Sequence, residues 1–223
     1  MQKFATPAAI SAVLDIPAGR IRFIAADRAD TTVEVLPANP AKGRDVKAAE
    51  QIEVAFADGV LRVAAAGPKR RILGDSGSVE VTVQLPAGSR VRATTADAEL
   101  RGVGRLGDVE FESARATVKL DETAGARVAL KDGGVSVGRL GGDAEISTMR
   151  GDIEIAEAVS GAVALTTQKG AIAVGAARGV SASLDAGTAY GRITNTLRNA
   201  DGAAAGLAIR ATTAYGDITA RSL

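Results

Sequence analysis

The chain has 223 residues, 46% of them hydrophobic, with aromatics at only 3% and no Trp. Cys and His are both absent, which excludes disulfides, Cys-ligated zinc, Cys nucleophiles and His-based triads. A formal net charge of +1, from 27 basic and 26 acidic residues, provides no general attraction to nucleic acid or anionic membranes.

The first stretch, MQKFATPAAISAVLDIPAG, has one Lys, then Pro7, then an apolar run broken by Asp15. It lacks the continuous apolar region and small-residue cleavage site of a secretory signal. The default compartment is therefore cytoplasmic, and a surface role requires another export route. No run approaches the roughly 18 apolar residues of a bilayer-spanning helix, so no membrane span is expected.

Short strands follow, separated by turn chemistry. AISAVLDI (9–16), IRFIAA (21–26) and TTVEVLP (31–37) have the composition of half-buried strands, and the last alternates with period two. ANPAKGRDVKAAE (38–50) reads as a loop, with room for a turn of helix from Asp45. QIEVAFADGVLRVAA (51–65) predicts a hairpin. Ile52, Val54 and Phe56 share a face, and Asp58-Gly59 supplies a turn in which Gly tolerates positive φ. PKRR (68–71) is a short basic cluster beside a Pro and reads as a solvated turn, not a nucleic-acid site. VEVTVQLPAG (79–88) adds another alternating strand.

From Val91 onward the chain repeats. One apolar column runs Phe111, Leu130, Ile146, Leu165, Leu184, at spacings of 19, 16, 19 and 19. A second lies two residues upstream, at Val109, Val128, Ala144, Val163 and Ala182. A third follows nine residues downstream, at Leu120, Ile155, Val174 and Ile193. Ile209 and Ile218 repeat the nine-residue interval after an insertion, LRNADGAAAG (197–206). Glycines separate the columns, at Gly133, Gly151, Gly170 and Gly191 on one side and Gly125, Gly141, Gly161 and Gly179 on the other.

A unit of about 19 residues is too small to bury its own apolar face, but stacked units form ladders with a continuous core. The fold expected is all-β: a β-solenoid, parallel β-helix-like, with rungs of about 19 residues. Residues 91–223 form the repeat region, and residues 1–90 form a strand and hairpin region capping it.

Three motifs invite a functional reading. Arg150-Gly151-Asp152 spells an integrin-type tripeptide, yet its equivalents are Lys169-Gly170-Ala171, Tyr190-Gly191-Arg192 and Tyr215-Gly216-Asp217. Only Gly persists, as a corner requires. Asp143, Glu145, Asp152, Glu154 and Glu157 cluster in one rung, where two carboxyls suitably spaced could act as acid and base. Glu145, Asp152 and Glu154 alternate with Ile, the pattern of a solvent-facing strand. Tyr190 and Tyr215, the only tyrosines, fall in nearly identical octapeptides, GTAYGRIT and TTAYGDIT. If their rungs stack, one rung apart, they form a small aromatic platform; the preferred expectation is a packed pair covering the end of the core.

TTADAELRGVG, STMRGDIEIAEAVSGAVALTTQKGAIAV and TAYGDIT resemble the bacterial putative-adhesin family of β-strand-repeat proteins, a domain of unknown function. The resemblance covers about 79–223 and implies a β-solenoid and, by name, adhesion or surface binding. That family offers no catalytic residues to carry over.

The expected function is a non-catalytic binding or scaffold protein with a protein or glycan partner. The alternative is a polysaccharide-active enzyme using surface carboxylates. No catalytic, cofactor-binding or metal-ligating residue is assigned, and no cofactor is expected. The rung ending in DITARSL presents an edge that the 197–206 insertion or a second copy of the chain is expected to cover.

Overall fold

The computed structural model describes residues 1–66 and 77–223; the PKRR cluster lies outside the described residues. Alternating apolar residues build most of the strands, with inward positions buried in the central rungs and less so at the two ends, and outward positions largely exposed. Strands β1 (Gln2–Ala5), β2 (Ser11–Asp15), β3 (Ala18–Ala26) and β4 (Asp30–Pro37) precede a helix, α1 (Gly43–Glu50). The region read as a loop thus holds two turns of helix. Asp45 anchors it by accepting the Ser78 amide at 3.0 Å, and Ala48 is buried in the core. The hairpin is formed by β5 (Ile52–Ala57) and β6 (Val60–Ala65), with Asp58 and Gly59 at φ 51° and 74°.

Next come β7 (Val79–Pro86) and the 43-residue β8 (Arg90–Asp132). Fully extended, β8 would exceed 140 Å; instead it winds through successive rungs, pairing with β2 near Val91 and with β3 near Leu100. The repeats continue as β9 (Val135–Leu140), β10 (Ala144–Arg150), β11 (Ile153–Ala158), β12 (Gly161–Lys169) and β13 (Ile172–Ala176). The remaining strands are β14 (Ala182–Tyr190), β15 (Ile193–Thr196), β16 (Leu207–Tyr215) and β17 (Ile218–Ser222).

All pair into one 17-stranded system, a solenoid of two ladders joined through β8. One ladder runs β5–β6–β2–β8–β10–β12–β16–β14. The other runs β1–β4–β7–β3–β8–β9–β11–β13–β17–β15. Every pairing of the repeats is parallel, while β1, β4 and β5 join antiparallel. Residues 1–90 and 91–223 therefore share one ladder system, and β2 with β3 forms a full rung of it. Phe4 and Phe56, 5.4 Å apart, meet at the outer end of this first section.

Two expectations are corrected. The apolar columns slip by two residues: Ile146 faces Val128 and Leu165, and Leu184 stacks on Ile209, which stacks on Val163. A two-residue slip keeps every side chain on its face, so hydrophobicity alone does not detect it. Second, chain order is not stacking order. The rung of β16 and β17 is inserted between β12–β13 and β14–β15, so DITARSL is not an edge. The edge belongs to residues 182–196, each of whose strands has a neighbour on one side only. The same exchange occurs at the other end, where β2–β3 lies between β6–β7 and β8. No helix among the described residues is long and apolar enough to cross a membrane.

Candidate binding surface

Four corners on one side of the repeat, ending in Gly151, Gly170, Gly216 and Gly191, are Thr-x-x-Gly units. Thr148, Thr167, Thr213 and Thr188 donate their hydroxyls to the carbonyls of Gly133, Gly151, Gly170 and Gly216, at 3.1–3.2 Å. Gly151, Gly170 and Gly216 have φ of 144°, 157° and 153°, and each presses against the corner carbonyl of the neighbouring rung. Only Gly permits that approach. A hydrogen bond runs along the same column, from the Gly151 amide to Lys169 O, Gly170 to Tyr215 O, and Gly216 to Tyr190 O, each at 2.9 Å.

The residue before each corner glycine points outward, so the corner builds one exposed row. Asp132 faces Arg150, Arg150 faces Lys169, Lys169 faces Tyr215, and Tyr215 faces Tyr190. Arg150 is tied to Asp132 at 2.9 Å, and Arg115 to Asp97 at 3.1 Å beside a shallow groove of about 640 Å³. Lys169 has no ion-pair partner among the described residues.

The two tyrosines lie one rung apart, as expected, with ring centroids 4.9 Å apart and planes within 5°. That separation matches the strand spacing of a sheet, so the ladder itself sets the stack. They are not a cover for the core. Tyr190 and Tyr215 are 67% and 56% exposed, whereas Phe23 and Phe111 are fully buried and Phe4 and Phe56 half-buried. All strongly exposed aromatic surface is therefore concentrated in this pair.

Four of the five clustered carboxylates are engaged in structure. Glu145 pairs with Arg127 at 3.4 Å and Glu157 with Arg139 at 2.7 Å. Asp143 and Asp152 each accept a backbone amide of the next rung, from Ala162 at 2.8 Å and Ala171 at 2.7 Å. Asp217 does the same for Arg192 at 2.8 Å. The Arg-Gly-Asp tripeptide is thus a corner glycine flanked by an ion pair and a cross-rung clamp. Glu154 is exposed beside Ile153 and Ile155. Among the described residues no group of three or more acidic side chains is arranged to hold a metal ion. The aromatic platform weighed from the sequence is the arrangement found, in place of the preferred packed pair, and its signal was that Tyr occupies the position held elsewhere by Arg150 and Lys169.

A family model described as Toastrack DUF4097 matches residues 13–222. A putative adhesin from Bacteroides fragilis has the same fold at a TM-score of 0.58, with 14% identity over 98% of this chain and 95% of that one. A putative adhesin from Parabacteroides merdae matches at a TM-score of 0.47, with 12% identity over 98% of this chain and 94% of that one. A putative lipid binding protein from Parabacteroides distasonis matches at 0.40, with 10% identity over 98% and 95%. No curated protein matches significantly.

Proposed function

Because the chain belongs to the Toastrack DUF4097 family, and shares its fold with a structure named for adhesion, we propose that it is a binding or scaffold protein without a catalytic centre. Its partner is a protein or glycan that docks on the exposed corner row. The observation that carries this reading is the solvent-facing Tyr190–Tyr215 stack. Leaving two aromatic rings in water forgoes apolar burial that a partner would recover. The reading is supported by the commitment of Asp143, Glu145, Asp152 and Glu157 to cross-rung contacts, which leaves them poorly suited to proton transfer.

The chain contains two Tyr and no Trp, so its tyrosine fluorescence comes from the stack alone. Partners are sought by capture on immobilised protein and by a glycan array. A true partner perturbs tyrosine emission and is lost in a Tyr190→Ala/Tyr215→Ala variant that melts normally. Partners retained equally by that variant would overturn the reading.

A further inference from the structure

Tyr190 lies on β14, which pairs with β16 and has no strand beyond it. One face of its ring is covered by Tyr215, and stacking along the ladder turns the other face off the end of the solenoid. Two residues on, past the Gly191 corner, is the exposed Arg192. Its backbone amide is held by Asp217, but its guanidinium has no ion-pair partner among the described residues. Lys169, one rung beyond Tyr215, is likewise unpaired.

Many arginines elsewhere on the exposed surface are matched to acids one rung away, although Arg22, Arg62 and Arg105 have no ion-pair partner among the described residues. Arg90 with Asp108, Arg92 with Glu110, and Arg127 with Glu145 are examples of matched pairs. Residues 159–223 contain six Lys and Arg against three Asp and Glu, and one of those acids, Asp185, is paired with Arg210. The end carrying the free aromatic face therefore also carries uncompensated positive charge.

We propose that this end binds an acidic polysaccharide, of the polyuronate class. The inference rests on the binding-surface reading above and specifies its ligand. The apolar C–H face of a pyranose would stack on the open, electron-rich face of Tyr190. A uronate carboxylate would be taken by the Arg192 guanidinium, whose fork matches carboxylate geometry. Lys169 supplies a second attraction for a further carboxylate along the corner row. Neutral sugars have the stacking face but lack the group that the unpaired cations select.

The test is calorimetric titration of the whole protein with oligogalacturonate and with maltooligosaccharide of equal length. The acidic ligand should bind at least about tenfold more tightly, and the advantage should shrink in high salt. Tyr190→Ala should lose about tenfold, whereas Tyr190→Phe, which keeps the ring, should stay within about twofold. Arg192→Ala should lose about fivefold and flatten the salt dependence, and the exposed Lys119→Ala should leave binding unchanged. No binding of oligogalacturonate at millimolar concentration would overturn the inference. So would equal binding of the neutral ligand, or an equal loss in Lys119→Ala. If oligogalacturonate fails while the tyrosine variant still loses a captured protein, the acidic-glycan inference falls and the binding-surface reading stands.

Discussion

A Cβ on Gly216 would lie 2.0 Å from the carbonyl oxygen of Gly170, although the two residues are 46 apart in sequence. The same approach recurs between Gly151 and Gly133 at 2.1 Å and between Gly191 and Gly216 at 1.9 Å. The corner column thus records the true order of the rungs, with Gly216 between Gly170 and Gly191.

Gly216→Ala should be strongly destabilising, because it combines a φ of 153° with a backbone clash that the rung spacing cannot relieve. The expected cost is about 2–4 kcal/mol, combining backbone strain with overpacking. Gly187→Ala is the control, since nothing lies within 4 Å of its Cβ. It should be neutral or slightly stabilising by about 0.5 kcal/mol. Urea unfolding of the two variants checks the contrast.

Thr213→Val removes the hydroxyl donated to Gly170 O and leaves a buried shape of similar volume. It should cost about 1 kcal/mol, the usual net worth of such a bond. Thr167→Val, at the equivalent position one rung away, should cost the same within about 0.5 kcal/mol if each rung contributes as a repeated unit. Equilibrium denaturation of both variants measures the pair.

The inserted rung can be tested directly, because the chain has no Cys to interfere. Ala164 and Arg210 are register partners, as are Arg210 and Asp185, so Ala164 and Asp185 are two strands apart. That places their Cα atoms about 9–10 Å apart, beyond disulfide reach. Oxidation should therefore cross-link an Ala164→Cys/Arg210→Cys variant and leave Ala164→Cys/Asp185→Cys reduced. Stacking in chain order would give the opposite result on non-reducing gels.

Asp30 should contribute an acid-side transition. Its hydrogen bond from Arg28, followed by that from Lys3, holds its pKa at about 2, against 3.8 in the absence of partners. A depressed folded pKa means that the stabilisation is fully present above about 3.8 and is lost as pH falls toward 2. Asp30 closes the pairing of β1 with β4, opposite Ala5. Amide exchange of Phe4 and Thr6, relative to the intrinsic rate at each pH, should accelerate over that window, and Arg28→Ala should move the onset to higher pH. Carboxylate titration by NMR with exchange at both residues checks the direction.

The rung period, the inward face and the corner glycines were legible in the sequence because each follows from a local rule. Alternation marks the buried side, and a positive φ at a tight corner demands Gly. Stacking order was not legible, for a physical reason. Thr167, Gly170 and Ile172 have counterparts in Thr213, Gly216 and Ile218, and again in Thr188, Gly191 and Ile193. Interchangeable rungs present the same apolar face and the same corner, so composition does not rank them. The tyrosine stack was half legible. Phase placed Tyr190 and Tyr215 on neighbouring rungs, but their exposure depended on the outward direction of the corner row, which no periodicity of apolar residues reports.

The interleaved rung also constrains how the chain can be made. A ribosome delivers residues 182–196 before 207–222, at about 5–20 residues per second. During the roughly 1–5 seconds that separate them at that rate, β14 and β15 lack the strands that flank them in the finished solenoid. They could meanwhile settle on β12 and β13, whose exposed faces offer the same threonine, glycine and isoleucine pattern. The native stack then forms only if this premature docking stays reversible. The small, polar composition of β14 and β15 (Ser183, Asp185, Gly187, Thr194, Asn195, Thr196) gives such an early contact little apolar surface to bury.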